Sequence, residues 1–139
     1  AQINVAINSI RDKFGSGSLP ATEAREQIQD ILSTYASVVR TSRGLEEGVQ
    51  RLNEVQSQGI RIDQNGLAYV LESLNMMEVG MLILEAARQR PESRGTHLFF
   101  RKEDDLILVP KDERWQKYIV LKKGDDGVMC EIQKPVRQM

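Results

Sequence analysis

The chain has 139 residues, a length that suits one domain and encloses enough apolar surface for a core without metal or disulfide. Hydrophobic residues make up 40% and charged residues 28%, as in an ordinary soluble domain, and 19 basic against 20 acidic side chains leave a formal net charge of −1. That balance excludes a global attraction to nucleic acid or to an anionic membrane. The single cysteine, Cys130, excludes an intrachain disulfide and points to no oxidising compartment.

No apolar run approaches the roughly 20 residues of a membrane span. The longest, Met76 to Ala87, is interrupted by Glu78 and Glu85. No signal peptide is visible, and the chain opens without Met, directly in a helical pattern, as expected of an excised piece. Ile3, Ile7, Ile10 and Phe14 recur at steps of three and four, which predicts a helix over 2–13 with one apolar face. Gly15-Ser16-Gly17-Ser18 then reads as a flexible connector. It is not a phosphate loop, because it lacks the Lys-Ser/Thr pair and the preceding strand.

Pro20 suits the first turn of a second helix running to about Arg40. Its expected buried stripe is Ala24, Ile28, Ile31, Leu32, Tyr35, Val38 and Val39. Thr41 and Ser42 offer capping oxygens to a third helix over 43–57, with Leu45, Val49, Leu52 and Val55 as its stripe and Gly59 as its stop. The short turn after Arg40 predicts antiparallel neighbours. Asp63 is the expected cap of the longest helix, over 64–90. Leu67, Leu74 and Met81 form one of its repeats, and Val70, Met77 and Leu84 another. Met76, Val79, Ile83 and Ala86 make a second apolar face, so this helix is expected at the centre of the bundle with partners on both sides. Its methionines read as adaptable core filling.

After His97 the pattern turns to short β-prone runs: Leu98-Phe99-Phe100, Leu106 to Val109, and Tyr118 to Leu121. Gly124-Asp125-Asp126-Gly127 predicts a hairpin between 117–123 and 128–134, ended by Pro135. Cys130, between Met129 and Glu131, reads as a strand residue filling core space, and Trp115 as the anchor of this tail on the bundle.

The residues offer little catalytic chemistry. One histidine and one cysteine, far apart, do not make a metal site. Glu103-Asp104-Asp105 lacks the alternate oxygens and glycine of a calcium loop and reads as solvated charge. Ser93 and His97 are four apart, but no nucleophile elbow flanks Ser93 and Gly95 ends any helical geometry. What remains is Arg90-Pro91-Glu92-Ser93-Arg94-Gly95-Thr96-His97, a polar run where the longest helix stops. Arg94 has a planar fork for a carboxylate or for carbonyls, and Glu92 can brace it. By residue type alone two readings stand: recognition of a neighbour, or capping of the helix and tying down of the tail.

Asn75-Met76-Met77-Glu78-Val79, Ala86-Ala87, Arg90 and Glu92-Ser93-Arg94-Gly95-Thr96-His97 resemble the C-terminal domain of the succinate dehydrogenase, fumarate reductase and L-aspartate oxidase flavoproteins. Gly44-Leu45-Glu46-Glu47-Gly48, Asp112-Glu113-Arg114-Trp115 and Lys134-Pro135-Val136 match further points of that family, so the likeness runs from about Ile3 to Val136. Thr96 in place of the commoner alanine, Leu98 to Asp104 in place of an Arg-x-Asp-Tyr/Phe-Pro stretch, and the atypical Leu106 to Pro110 suggest a divergent relative rather than a classical respiratory succinate dehydrogenase.

The resemblance implies a mainly α fold. An antiparallel bundle of three main helices plus an N-terminal helix (1–97) is followed by a small C-terminal antiparallel β-hairpin tail (98–139), together one domain. It implies FAD in the parent protein and none in this chain, since the dinucleotide-binding and substrate motifs are absent here. No catalytic, cofactor or metal role passes to any residue. Glu92, Ser93, Arg94 and His97 are the expected interdomain contact. The implied partners are the flavin-binding domain of the same chain and an iron–sulfur subunit, with no nucleic acid and no direct membrane insertion. The implied place is cytoplasmic, at the inner face of the membrane through partner subunits. The alternative is a free-standing helical interaction module that binds a peptide or helix in a methionine-lined groove.

Overall fold

The structure, a computed structural model, describes residues 2–105, 107–125 and 129–135. Helices α1 (Gln2–Phe14), α2 (Ala21–Tyr35), α3 (Ser42–Gln58) and α4 (Gly66–Arg88) are joined by two-residue strands β1 (Leu19–Pro20), β2 (Arg40–Thr41), β3 (Ile60–Arg61) and β4 (Phe99–Phe100). A 3-10 turn (Glu113–Trp115) leads into the hairpin strands β5 (Lys117–Lys123) and β6 (Met129–Pro135).

The small strands fix the helix directions. β1, before α2, pairs in parallel with β3, after α3. The start of α2 therefore meets the end of α3. β2, before α3, pairs in parallel with β4, after α4. The start of α3 therefore meets the end of α4. Helices α2 and α4 run one way and α3 the other, in the expected antiparallel arrangement.

The core lies between these three helices. Ala24, Ile28 and Ile31 of α2 face Leu45, Leu52 and Val55 of α3 and Val70, Met77 and Leu84 of α4. Each fully enclosed leucine or isoleucine contributes about 2 kcal/mol. Small residues set the spacing. A Cβ on Gly48 would stand 2.9 Å from Cβ of Tyr35 and 3.1 Å from Leu84, and one on Gly80 would stand 3.0 Å from Leu32. The core stripe of α4 therefore reads Val70, Ser73, Met77, Gly80, Leu84, Ala87. Ser73 is fully buried, donating to the Tyr69 carbonyl at 2.7 Å and accepting from Arg25 Nε at 3.2 Å.

Several expectations need correction. Helix α2 stops at Tyr35, not Arg40, because Arg40 is drawn into β2 beside Phe99, and Val38 is 64% exposed. Asp63 does not cap α4. Its carboxylate accepts from the Thr22 amide and hydroxyl, both at 2.7 Å, and so caps the start of α2 from across the bundle. Its other oxygen closes a turn onto the Asn65 amide. Gly15 to Ser18 is not a loose connector. Gly17 and Leu19 donate to the carbonyls of Ile60 and Gly59, and a Cβ on Gly17 would fall 2.0 Å from the Gly59 carbonyl carbon.

Helix α4 is long and apolar enough, by length and composition, to cross a membrane, which the sequence reading denied. One face of it lies in the core of the bundle. The other is not covered: Val79 is 54% and Ile83 44% exposed, so the expected central position with partners on both sides fails within this chain. The apolar face of α1 is also open, with Ile3 75% exposed.

Thr41 does cap α3, accepting from Gly44 N at 3.0 Å, and Gly59 ends it at φ 67°. The hairpin pairs Lys117 with Pro135 through Lys123 with Met129. Leu108 forms only a single bridge to Phe100 rather than a strand. Leu106, Asp126, Gly127, Val136 and the side chain of Cys130, each part of a reading above, lie outside the described residues.

Candidate functional site: a buried carboxylate corner at the end of the bundle

Past Arg88 the chain cannot continue as helix through Pro91. It turns instead, and Gly95 takes φ 59°, while Arg94 and His97 close the turn with paired backbone hydrogen bonds of 2.9 and 3.1 Å. This places Glu92 inside the domain. Its side chain is fully buried and accepts from Arg90 Nη1 at 2.8 Å, Arg94 Nε at 2.6 Å, Arg94 Nη2 at 3.1 Å and the Asp112 amide. Burial pushes this carboxyl up, but Arg94, the Asp112 amide and Arg90 together outweigh it and hold Glu92 below the ordinary glutamate value. Glu92 in turn raises the Arg94 guanidinium above its ordinary value.

The two arginines carry the corner onward. Arg90 donates to the carbonyls of Trp115 at 3.2 Å and Lys117 at 2.6 Å, and Arg94 to the carbonyl of Asp112 at 3.0 Å. A buried anion thus holds two cations whose remaining donors grip the entry to the hairpin. Trp115 is half-buried, with Arg90 5.8 Å and Lys117 5.6 Å from its ring. Its tie to the end of the bundle is Arg90, and it does not sink into the core.

Ser93 and His97 do not act on each other. Ser93 Oγ donates to the Phe99 carbonyl at 3.1 Å and accepts from the Phe99 amide at 3.0 Å. The His97 ring nitrogens meet Arg40 Nη1 and the Arg90 carbonyl, each at 3.0 Å. Of the four residues expected at an interdomain contact, the structure gathers all into one turn and directs their strongest bonds inward. Pro91, Gly95 and Thr96 form its exposed rim, with Ser93, Arg94 and His97 part-exposed behind them. Sequence reasoning missed Arg40 and Asp112, the partners supplied from other segments. No local spacing could have joined Arg40 to His97 across 57 positions.

A concavity of about 680 Å³ opens between α3 and α4, beside the end of α1 and the end of β5. Phe14, Val49, Leu74, Met77 and Met81 line its floor, and Glu78, Glu85 and Lys123 its rim.

A family model described as the fumarate reductase flavoprotein C-terminal region matches residues 25–138. The succinate dehydrogenase flavoprotein subunit of Rickettsia conorii is 28% identical over 132 residues, covering 89% of this chain and 21% of that protein. An uncharacterized FAD-dependent oxidoreductase of Methanocaldococcus jannaschii is 28% identical over 125 residues, covering 88% of this chain and 21% of that protein. The chain thus spans about a fifth of the length of the curated relatives it matches. A quinol–fumarate reductase solved with menaquinol molecules superposes with a TM-score of 0.76 at 18% identity, over 99% of this chain and 25% of that one. The Mycobacterium smegmatis Sdh1 complex superposes at 0.72 and 21% identity, over 99% of this chain and 24% of that one. The family match runs from within α2 through α3, α4, the carboxylate corner and the hairpin, and the chain belongs to the C-terminal domain family of the fumarate reductase and succinate dehydrogenase flavoproteins.

Proposed function

We propose that this chain is the non-catalytic helical domain of an FAD-dependent oxidoreductase of the dicarboxylate dehydrogenase or reductase type. It braces a flavin-binding domain carried on the same polypeptide. The observation that carries this reading is the corner itself. Glu92 accepts from both Arg90 and Arg94 and turns their guanidiniums inward, which leaves a turn whose exposed rim, Pro91, Gly95 and Thr96, is uncharged. Such a rim suits docking against a folded surface better than it suits binding a charged small molecule. In this reading Ser93, Arg94 and His97 meet the flavin domain at their exposed edges, while Glu92 acts from beneath by fixing Arg94.

FAD and the dicarboxylate belong to the rest of the polypeptide, and an iron–sulfur subunit is its electron partner. The parent works in the cytoplasm at the inner face of the membrane, held there by its partner subunits. The isolated 139 residues are expected to fold, to show no flavin absorbance and to reduce no artificial acceptor. Stoichiometric FAD binding by them would refute the proposal. Thr96→Glu, at the rim, should leave the isolated chain unchanged and lower the melting temperature of the full-length flavoprotein. An equal effect on both, or none on either, removes the corner from the interface.

One observation favours the second reading, an interaction module: the groove floored by Met77 and Met81. The encoding gene separates the two. A reading frame that runs upstream into a dinucleotide-binding domain supports the brace, and one that starts near Ala1 supports the module.

A further inference from the structure

Helices α2 and α4 run in the same direction, so their last carbonyls lie at the same end of the bundle. Arg40 serves α2. Its Nε donates to the carbonyls of Ala36 at 3.2 Å and Ser37 at 2.9 Å, and its Nη2 to Ala36 at 2.9 Å. Its third nitrogen, Nη1, reaches His97 Nδ1 at 3.0 Å. On the far side of the ring, Nε2 meets the carbonyl of Arg90, just past the end of α4. A guanidinium only donates and a carbonyl only accepts, so the ring that satisfies both is neutral, with its proton on Nε2. The ring is stacked on Phe99 of β4, at 5.9 Å between centroids.

We propose that His97 is a pH-sensitive pin, which joins the ends of α2 and α4 through Arg40 while neutral and releases Arg40 when protonated. An imidazolium has no lone pair at Nδ1 to accept the Arg40 hydrogen, and it meets that guanidinium as a like charge. The charged groups facing the ring are Arg40 from β2, Arg90 from beyond α4 and Glu92 from the corner turn. Burial, then Arg40 and Arg90, oppose the proton, while the Arg90 carbonyl and Glu92 favour it. The net effect holds the imidazole below its ordinary value.

The sign follows. A group whose folded value is depressed contributes stability that is present above the unfolded value, near pH 6.5 for histidine, and is lost as pH falls toward the folded value. Glu92 stays charged over this range because its own value is lowered, so it does not titrate in competition. The part of the fold that loosens is the β2–β4 closure, since Arg40 pairs with Phe99 there. The bonds that form the pin lie within this chain, although the exposed edge of His97 is also where the proposed flavin-domain contact is made.

Amide hydrogen exchange, read by mass spectrometry at about pH 8 and about pH 5 and corrected for intrinsic exchange, tests it in the protein that carries these residues. His97→Asn keeps an acceptor near Nδ1 and His97→Gln a donor near Nε2, and neither titrates. Protection of segments 36–43 and 94–101 in the wild type is expected to fall by as much as about tenfold per pH unit below the imidazole's ordinary range. It should stay flat in both variants, and segment 15–20 should stay flat in all three. A flat wild-type corner, or an equal fall in the variants, overturns the proposal. So does a ring nitrogen titration that places His97 at or above the ordinary histidine value, a measurement that does not depend on either variant folding.

Discussion

At one end of the bundle β1 meets β3, at the other β2 meets β4, and the two closures use different chemistry. The first is mostly backbone against backbone. Gly17, Ser18 and Leu19 donate to the carbonyls of Ile60, Gln58 and Gly59 at 2.9 to 3.1 Å, and Gly17 lies so close to Gly59 that no side chain fits. The second adds to its backbone pairing a set of side-chain bonds: Arg40 on His97, Ser93 on Phe99, Thr41 on Glu103, and the Glu92 network beside them. Backbone closure demands small residues, and the backbone bonds themselves do not titrate. Side-chain closure tolerates other backbones, but its strength depends on the charge state of each member. The first end suits a permanent clasp, and the second suits a place where another body or a proton is felt.

The largest effect should come from breaking the charged end. Glu92→Gln removes the anion that two part-buried guanidiniums share, and leaves them facing each other without a counter-charge. Breaking a buried pair by removing one partner costs about 3 kcal/mol, seen as a lower midpoint in denaturant. A loss below about 1 kcal/mol would mean that water compensates the arginines and the corner is not one network. Close behind comes the other end. Gly17→Ala places a methyl into the Gly59 backbone, and overpacking of that kind costs about 2 kcal/mol. The comparison sharpens if the Gly17→Ala loss is the same at about pH 8 and about pH 5 while the stability of the charged end changes over that interval.

The clasp end does contain one titrating group, and its window is different. Asp63 is held at about 2 by the Thr22 hydroxyl first, and then by the Asn65 and Thr22 amides. Its folded value lies below its unfolded value, so its contribution is present above about pH 4 and is lost as pH falls toward 2. Asp63→Asn should flatten the acid limb of a stability–pH curve and leave the limb between about pH 5 and pH 7 unchanged. A change in the upper limb instead would show that the two ends are coupled. Thr41→Ala, which removes the α3 cap and the bond to Glu103, should cost about 1 kcal/mol.

The periodic parts of the fold were legible in the sequence, because a repeat of three and four states where a helix is and which side is apolar. Of the expected α3 stripe, Leu45, Leu52 and Val55 are buried and Val49 partly so. The hairpin was legible from its turn residues. The α4 core face was only half legible, because Ser73 and Gly80 lie in it for lack of bulk, and smallness matters only once Arg25 and Leu32 are known to press on them. Asp63 looked like the cap of the helix that follows it. Instead it caps α2, 41 residues earlier, a choice settled by the β1–β3 pairing and invisible to local spacing. The corner residues were found by composition, and tying down the tail was one of the two readings left open, but local spacing could not choose between them. Whether Arg94 faces a neighbour or Glu92 depends on Asp112 and the tail folding back, and these lie beyond any helical period. Arg94→Ala should destabilise this chain through the lost Glu92 and Asp112 contacts, read as a lower melting temperature.

The smallest effects belong to the faces that neither end secures. Ile3 of α1 and Val79 of α4 are mostly in water, so Ile3→Ser or Val79→Ser should shift the unfolding free energy of this chain by less than about 0.5 kcal/mol. The same changes are diagnostic in the full-length protein. If another domain covers these faces there, each substitution removes a buried side chain and should cost about 1.5 kcal/mol or more. If the faces stay wet, the cost stays near zero in both settings. A difference at Val79 but not at Thr96 would move the proposed interface from the charged corner to the outer side of α4. The opposite pattern would keep it at the corner, at the exposed rim of Pro91, Gly95 and Thr96.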